Sequence, residues 1–222
     1  MSVFDEELQR LKDKILKMGS MVEDAIKNSI QALVERDNTL AINVIDNDRV
    51  VNTLDVEIDE EAIRLIALRQ PKASDLRFIT MAMKITTDLE RMGDLAANIA
   101  ERALELNDEP ILKPYIDIPK MRSIAQRMTQ DALDAFVRKD KRLARDVIIR
   151  DDEVDDLKQV VLHELALFMV QDPATVTRAM KISFVATYLE RIADHATNIA
   201  EMVIYLVDGK IIRHMAMPPE NK

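Results

Sequence analysis

Glu90, Asp94, Asn98 and Glu101 are spaced so that one helix would carry all four oxygen-bearing side chains on a single face. With Glu90 at zero on a wheel of about 100° per residue, Asp94 falls near about 40°, Asn98 near about 80° and Glu101 near about 20°. Leu89, Met92, Ala96, Ile99, Ala103 and Leu106 lie on the other side and read as the core stripe. The same arithmetic holds for Glu190, Asp194, Asn198 and Glu201. Upstream, Asp48 with Asn52 and Asp151 with Asp155 supply two more oxygen pairs at four-residue spacing. Carboxylates four residues apart on a helix repel by a few tenths of a kcal/mol, and a cation between them reverses that sign. Helices laid side by side would bring these pairs together. The expected metal ligands are therefore Glu90, Asp94, Asn98, Asp48 and Asn52 in one set, with Glu190, Asp194, Asn198, Asp151 and Asp155 in the other. Oxygen-only ligands favour Mg, Ca, Mn or Fe over Zn or Cu, so a divalent or trivalent ion of that kind is the expected cofactor. The plainer alternative is a solvated acidic face with no ligand.

The two sets belong to an internal duplication. Leu89 to Glu101 returns as Leu189 to Glu201 with nine of thirteen residues identical. Ala32 to Leu54 returns as Ala135 to Leu157 at an offset of 103, repeating Asp37, Leu40, Val44, Asp48, Val51 and Leu54 among others. A repeat of about a hundred residues means two copies of a small domain, not a solenoid. Recurrence of the acids with Asn at the same place argues for a shared constraint, since faces that meet only solvent drift.

Apolar spacing and prolines then cut the chain into long helices. The expected elements run from Phe4 to about Arg36, Leu40 to Leu68, Ser74 to Leu106, Lys120 to Lys139, Arg142 to Val170 and Ala174 to Val207. Ser74 reads as the N-cap of the third, Gly209 as the C-terminal stop of the sixth, and the tail with Pro218-Pro219 as disordered. Three prolines between Pro110 and Pro119 mark an inter-domain linker. The expectation is an all-α protein of six long helices in two tandem, pseudo-symmetric three-helix bundles, residues 1–112 and 113–222.

Composition agrees. Three glycines and no tryptophan leave little for tight β-turns, and 48% hydrophobic residues with only 4% aromatics suit aliphatic helix packing. A net charge of −9 argues against nucleic acid as a partner. Without cysteine there are no disulfides, thiolate sites or Cys nucleophiles. No apolar run approaches the roughly 20 residues of a membrane span, and Met1 to Glu7 lacks signal-peptide character, so a cytoplasmic location is expected. His163, His195 and His214 form no set, and His195, about 140° from Glu190, reads as a boundary side chain. Glu-x-x-His pairs of di-iron bundles, phosphate loops and nucleophile elbows are missing, which points away from an enzyme. Arg91 and Arg191 follow the repeated Glu and read as surface ion pairs or partner contacts. Gly93 and Ala193, small residues between Glu and Asp, would let a neighbouring helix come close.

The duplicated Leu-Glu-Arg-x-x-Asp-x-x-x-Asn-Ile segment, with Gln70-Pro71-Lys72-Ala73-Ser74-Asp75-Leu76-Arg77, resembles the PhoU family, the accessory regulators of phosphate-specific transport. The likeness runs from Met18 to Gly209. The resemblance implies paired three-helix bundles that associate as a homodimer, and a cytoplasmic negative regulator of phosphate uptake and of phosphate-starvation signalling. It implies two partners, the importer's ATPase subunit and a sensor histidine kinase, with the membrane reached only through them. It also implies surface metal clusters on Glu90 with Asp94 and Glu190 with Asp194, joined by Asp48 with Asn52 and Asp151 with Asp155. Asn52 breaks the acidic pattern and should weaken the first site, and Asp75 and Arg77 lack counterparts near Gln171-Asp172-Pro173. Two other readings stay open: a carboxylate-metal helical-bundle enzyme, and a structural interaction bundle without a ligand.

Overall fold

The computed structural model describes residues 3–209; the proline-containing tail lies outside them. Six helices account for nearly all of it: α1 Val3–Glu35, α2 Asn38–Arg69, α3 Ala73–Asn107, α4 Asp117–Arg138, α5 Lys141–Gln171 and α6 Val176–Asp208. No strand occurs among the described residues. The recurring aspartates of the duplication set the helix starts. Asp37 accepts the Leu40 amide at 3.0 Å, and its counterpart Asp140 accepts the Arg142 and Leu143 amides at 2.9 and 3.1 Å, each satisfying amides that the first turn leaves free. At the other ends, Gln70 takes a left-handed conformation (φ 48°) just before Pro71, and Gly209 (φ 69°) closes α6 as expected.

Three local expectations are corrected. Ser74 lies inside the first turn of α3, whose N-cap is Lys72 without a side-chain cap. Pro71 brings the chain in extended, so the helix starts before the serine is reached. The sixth helix is preceded by one 3-10 turn, Pro173–Thr175, in which Asp172 accepts the Ala174 amide at 3.0 Å. Helix α4 begins at Asp117, because Pro119 in its first turn gives up an amide that had no partner there.

Within each repeat the three helices pack on one another, and the repeats join where α3 lies on α6 and α1 on α4. The buried apolar residues form one continuous cluster through all six helices. Phe78 of α3 stacks on Phe136 of α4 with centroids 5.1 Å apart, and Gly19 lets α1 press against Leu133. Residues 110–119 are consequently no free linker. Lys113 is buried and paired with Glu164, and Arg178 donates to the Pro110 carbonyl at 3.0 Å.

His195 is likewise no boundary residue. It is 9% exposed, with Nδ1 2.8 Å from Oδ1 of Asp88, itself 6% exposed. What would be the edge of a lone bundle becomes interior once α3 covers α6. The equivalent residues in the opposite repeats are Tyr188 and Leu95, so this polar contact crosses the pseudo-dyad only once. His195→Leu, copying Leu95, should destabilise the fold by about 3 kcal/mol, because Asp88 stays buried without its partner. Adding Asp88→Leu should recover most of that loss. Urea denaturation checks both; an unchanged midpoint for the single variant would contradict this account.

Candidate metal centre

Glu90 and Asp94 stand about 100–140° from the centre of the α3 core stripe, taking Leu89 as that centre. In a three-helix unit that direction faces the neighbouring helix, not open water. Glu90 and Asp48 are accordingly half-buried, though Asp94 remains exposed. The expectation that the acids lie opposite the core is corrected to a groove between α2 and α3. Gly93 makes the groove close: a Cβ there would stand 3.2 Å from Oδ1 of Asp48 and 3.3 Å from Val51. Asn52 donates to the other oxygen of Asp48 at 3.0 Å.

Charge is crowded in this groove. The Asp48 carboxyl is raised above the usual range by burial and then by Asp94, with the Asn52 hydrogen bond opposing. Burial, followed by Asp94, Asp55 and Asp48, raises Glu90 against the opposing charge of Arg91. Asp55, two turns past Asp48 on α2, is raised by burial and by Asp59. Side-chain oxygens of Asp48, Asn52, Asp55 and Asp59 are buried without a hydrogen-bond partner. Buried acceptors left unpaired are costly, and a hard cation is the ligand that satisfies several at once. Among the described residues no three acidic or histidine side chains already close around one point, so an ion would have to draw them in.

The groove between α5 and α6 differs. It brings together Asp151, Asp155, Glu190 and Asp194, but Lys158 reaches in and donates to Oε1 of Glu190 at 2.8 Å, with both side chains 17% exposed. Asn98 and Asn198 are half-buried further along α3 and α6, and neither is hydrogen-bonded to a groove acid. Asp55, Asp59 and Lys158 were missed from sequence. Extending the 103-residue echo one position past Leu54 and Leu157 pairs Asp55 with Lys158, and four further pairs Asp59 with Leu162. That inversion of charge was the available signal.

Comparison with known proteins agrees with this architecture. The PhoU domain model matches residues 15–103 and again 118–203. The phosphate-specific transport system accessory protein PhoU homolog of Aquifex aeolicus is 46% identical over 209 residues, covering 94% of this chain and 95% of that one. Its Pseudomonas aeruginosa counterpart is 41% identical over 215 residues, 96% of this chain and 89% of the relative. The crystal structure of PhoU from P. aeruginosa superposes with a TM-score of 0.90 at 42% identity, covering 93% of this chain and all of that one. The phosphate transport system regulatory protein PhoU from Streptococcus pneumoniae gives 0.87 at 29% identity, covering 94% and 98%. The chain belongs to the PhoU family.

Crowding is greatest at Asp151, whose carboxyl is pushed up to about 6 by burial, then by Asp194, Asp155, Glu190 and Asp152. An acid raised in the fold stabilises it while protonated. That contribution is complete below about pH 4 and is lost as pH rises through about 6. In chelator-treated protein, Asp151→Asn should therefore be more stable than the parent at pH 7. The gain should be about 1–2 kcal/mol after allowing for solvent screening. The gap should close between pH 7 and pH 4. Denaturation across that range checks it, and a pH-independent gap would contradict the assignment.

Proposed function

We propose that this protein is a regulatory adaptor of a phosphate-import system, acting by binding. One observation carries the reading: both PhoU repeats are matched almost end to end, at 46% identity to a relative named as an accessory protein of phosphate-specific transport. The site chemistry favours binding over turnover. Clefts along α1 and α2 are lined by Arg10, Asp13, Lys14, Lys17 and Glu61, where Lys14 is ion-paired to Glu57 and Glu61, and they hold no nucleophile–base pair.

In this reading the protein works in the cytoplasm as a homodimer. It restrains the importer through its ATPase subunit and keeps the starvation response off through a sensor histidine kinase. No helix among the described residues is long and apolar enough to cross a membrane, so the membrane is met through those partners. The α2/α3 groove takes a divalent cation such as Mg or Mn. Asp48, Asp55, Glu90 and Asp94 would hold it, with Asn52 beside them. Such an ion would relieve the repulsion among these acids and tie α2 to α3.

Arg91 and Arg191 are both exposed and occupy equivalent places on α3 and α6. Fixed positive charge there suits an acidic partner surface. Arg91→Glu with Arg191→Glu should leave the melting temperature nearly unchanged, since exposed pairs contribute about 0–1 kcal/mol. The same variant should lose co-purification with the ATPase subunit and derepress the starvation response in high phosphate. Retained binding and normal repression by the folded variant would contradict the adaptor surface.

A further inference from the structure

The two grooves are built on one plan and differ most sharply at one pair of positions. Asp55 on α2 corresponds to Lys158 on α5, and Glu90 on α3 to Glu190 on α6. In the second repeat, then, a cation stands in the groove: the Lys158 ammonium on Glu190 at 2.8 Å. In the first repeat the same place is taken by another carboxylate, with an unpartnered buried oxygen, and Asp59 follows where the second repeat has Leu162.

We infer that Lys158 is a tethered substitute for the metal ion, so that only the α2/α3 groove of each chain takes a divalent cation tightly. This rests on the reading above that the grooves are cation sites, and it sets which of them is one. Lys158 is held in place there: its ammonium donates to Glu190 at 2.8 Å, and both side chains are largely buried. A divalent ion entering the second groove would have to displace Lys158 from Glu190 and then sit among the same acids beside an ammonium. In the first groove nothing has to leave. Asp48, Asp55 and Asp94 crowd Glu90 there, with Arg91 beside it, and Asp59 adds its charge at Asp55. This reverses the expectation that Asn52 would make the first site the weaker one. Asn52 still offers an oxygen, whereas the Asp55/Lys158 exchange changes the local charge by two units. One nearby charge changes cation binding of a carboxylate by about tenfold or more, as it does proton binding.

Manganese titration of the chelator-treated full chain tests this, with calorimetry and the electron spin resonance signal of free Mn2+ as readouts. The wild type should bind one Mn2+ tightly per chain. Asp55→Lys should weaken that ion at least tenfold, and Lys158→Asp should add a second tight ion. Lys158→Met, which keeps the stem and removes only the charge, serves if the aspartate variant loses helicity. Two equally tight ions in the wild type, unchanged by Lys158→Asp, would overturn the inference and leave the groove reading standing. One ion that survives Asp55→Lys would overturn the inference as well. No tight Mn2+ in any of these proteins would overturn both.

Discussion

Everything at the candidate site depends on carboxylates being held half out of water between neighbouring helices by the apolar stripe beside them. Leu89, Met92, Ile99 and their partners on α1 and α2 are fully buried, and each side chain of that size stabilises the fold by about 1.5–3 kcal/mol. Repulsion between two acids on one helix costs only a few tenths. Packing therefore wins easily and fixes Glu90 against Asp48 whether or not the charges welcome it. The strain is local, shared among a few oxygens, and relieved by whatever positive charge the groove admits. Asn52, Lys158 and the raised carboxyl of Asp151 are three forms of relief already built in.

Duplication gave the protein two such grooves, and a shared core then allowed them to diverge. Because α3 lies on α6, the middle of the molecule answers to both repeats at once. There the symmetry is broken at one contact: Asp88 faces His195, where the mirrored contact would set Leu95 against Tyr188. A polar pair used once across a pseudo-dyad defines how the halves meet. The grooves lie where α3 meets α2 and α6 meets α5, with Asp194 of the second groove next in sequence to His195.

Helix number, helix order and the acidic pairs were legible because they follow from period and repeat, which a single chain displays. Asp37 and Asp140 were visible as a repeated pair, but their capping role was not read from the repeat. The Ser74 cap failed because a local cap signal was weighed without the extended entry that Pro71 imposes. His195 was misplaced because a helical wheel knows one neighbour and α6 has several. Residues 110–119 join the two repeats, as their composition indicated, but they are packed, with Lys113 buried against α5. The largest omission was Lys158, and it came from reading the repeat for its identities while the inverted charge inside the groove carried more information.

The central claim is that an acidic groove is balanced by an external cation in one repeat and by a lysine in the other. Anomalous diffraction from a crystal of the full chain soaked in Mn2+ addresses it most directly. The account predicts an anomalous peak between α2 and α3, among Asp48, Glu90 and Asp94, and none beside Glu190 while Lys158 remains bonded to it. Equal peaks in both grooves, or a peak at Glu190 alone, would contradict it.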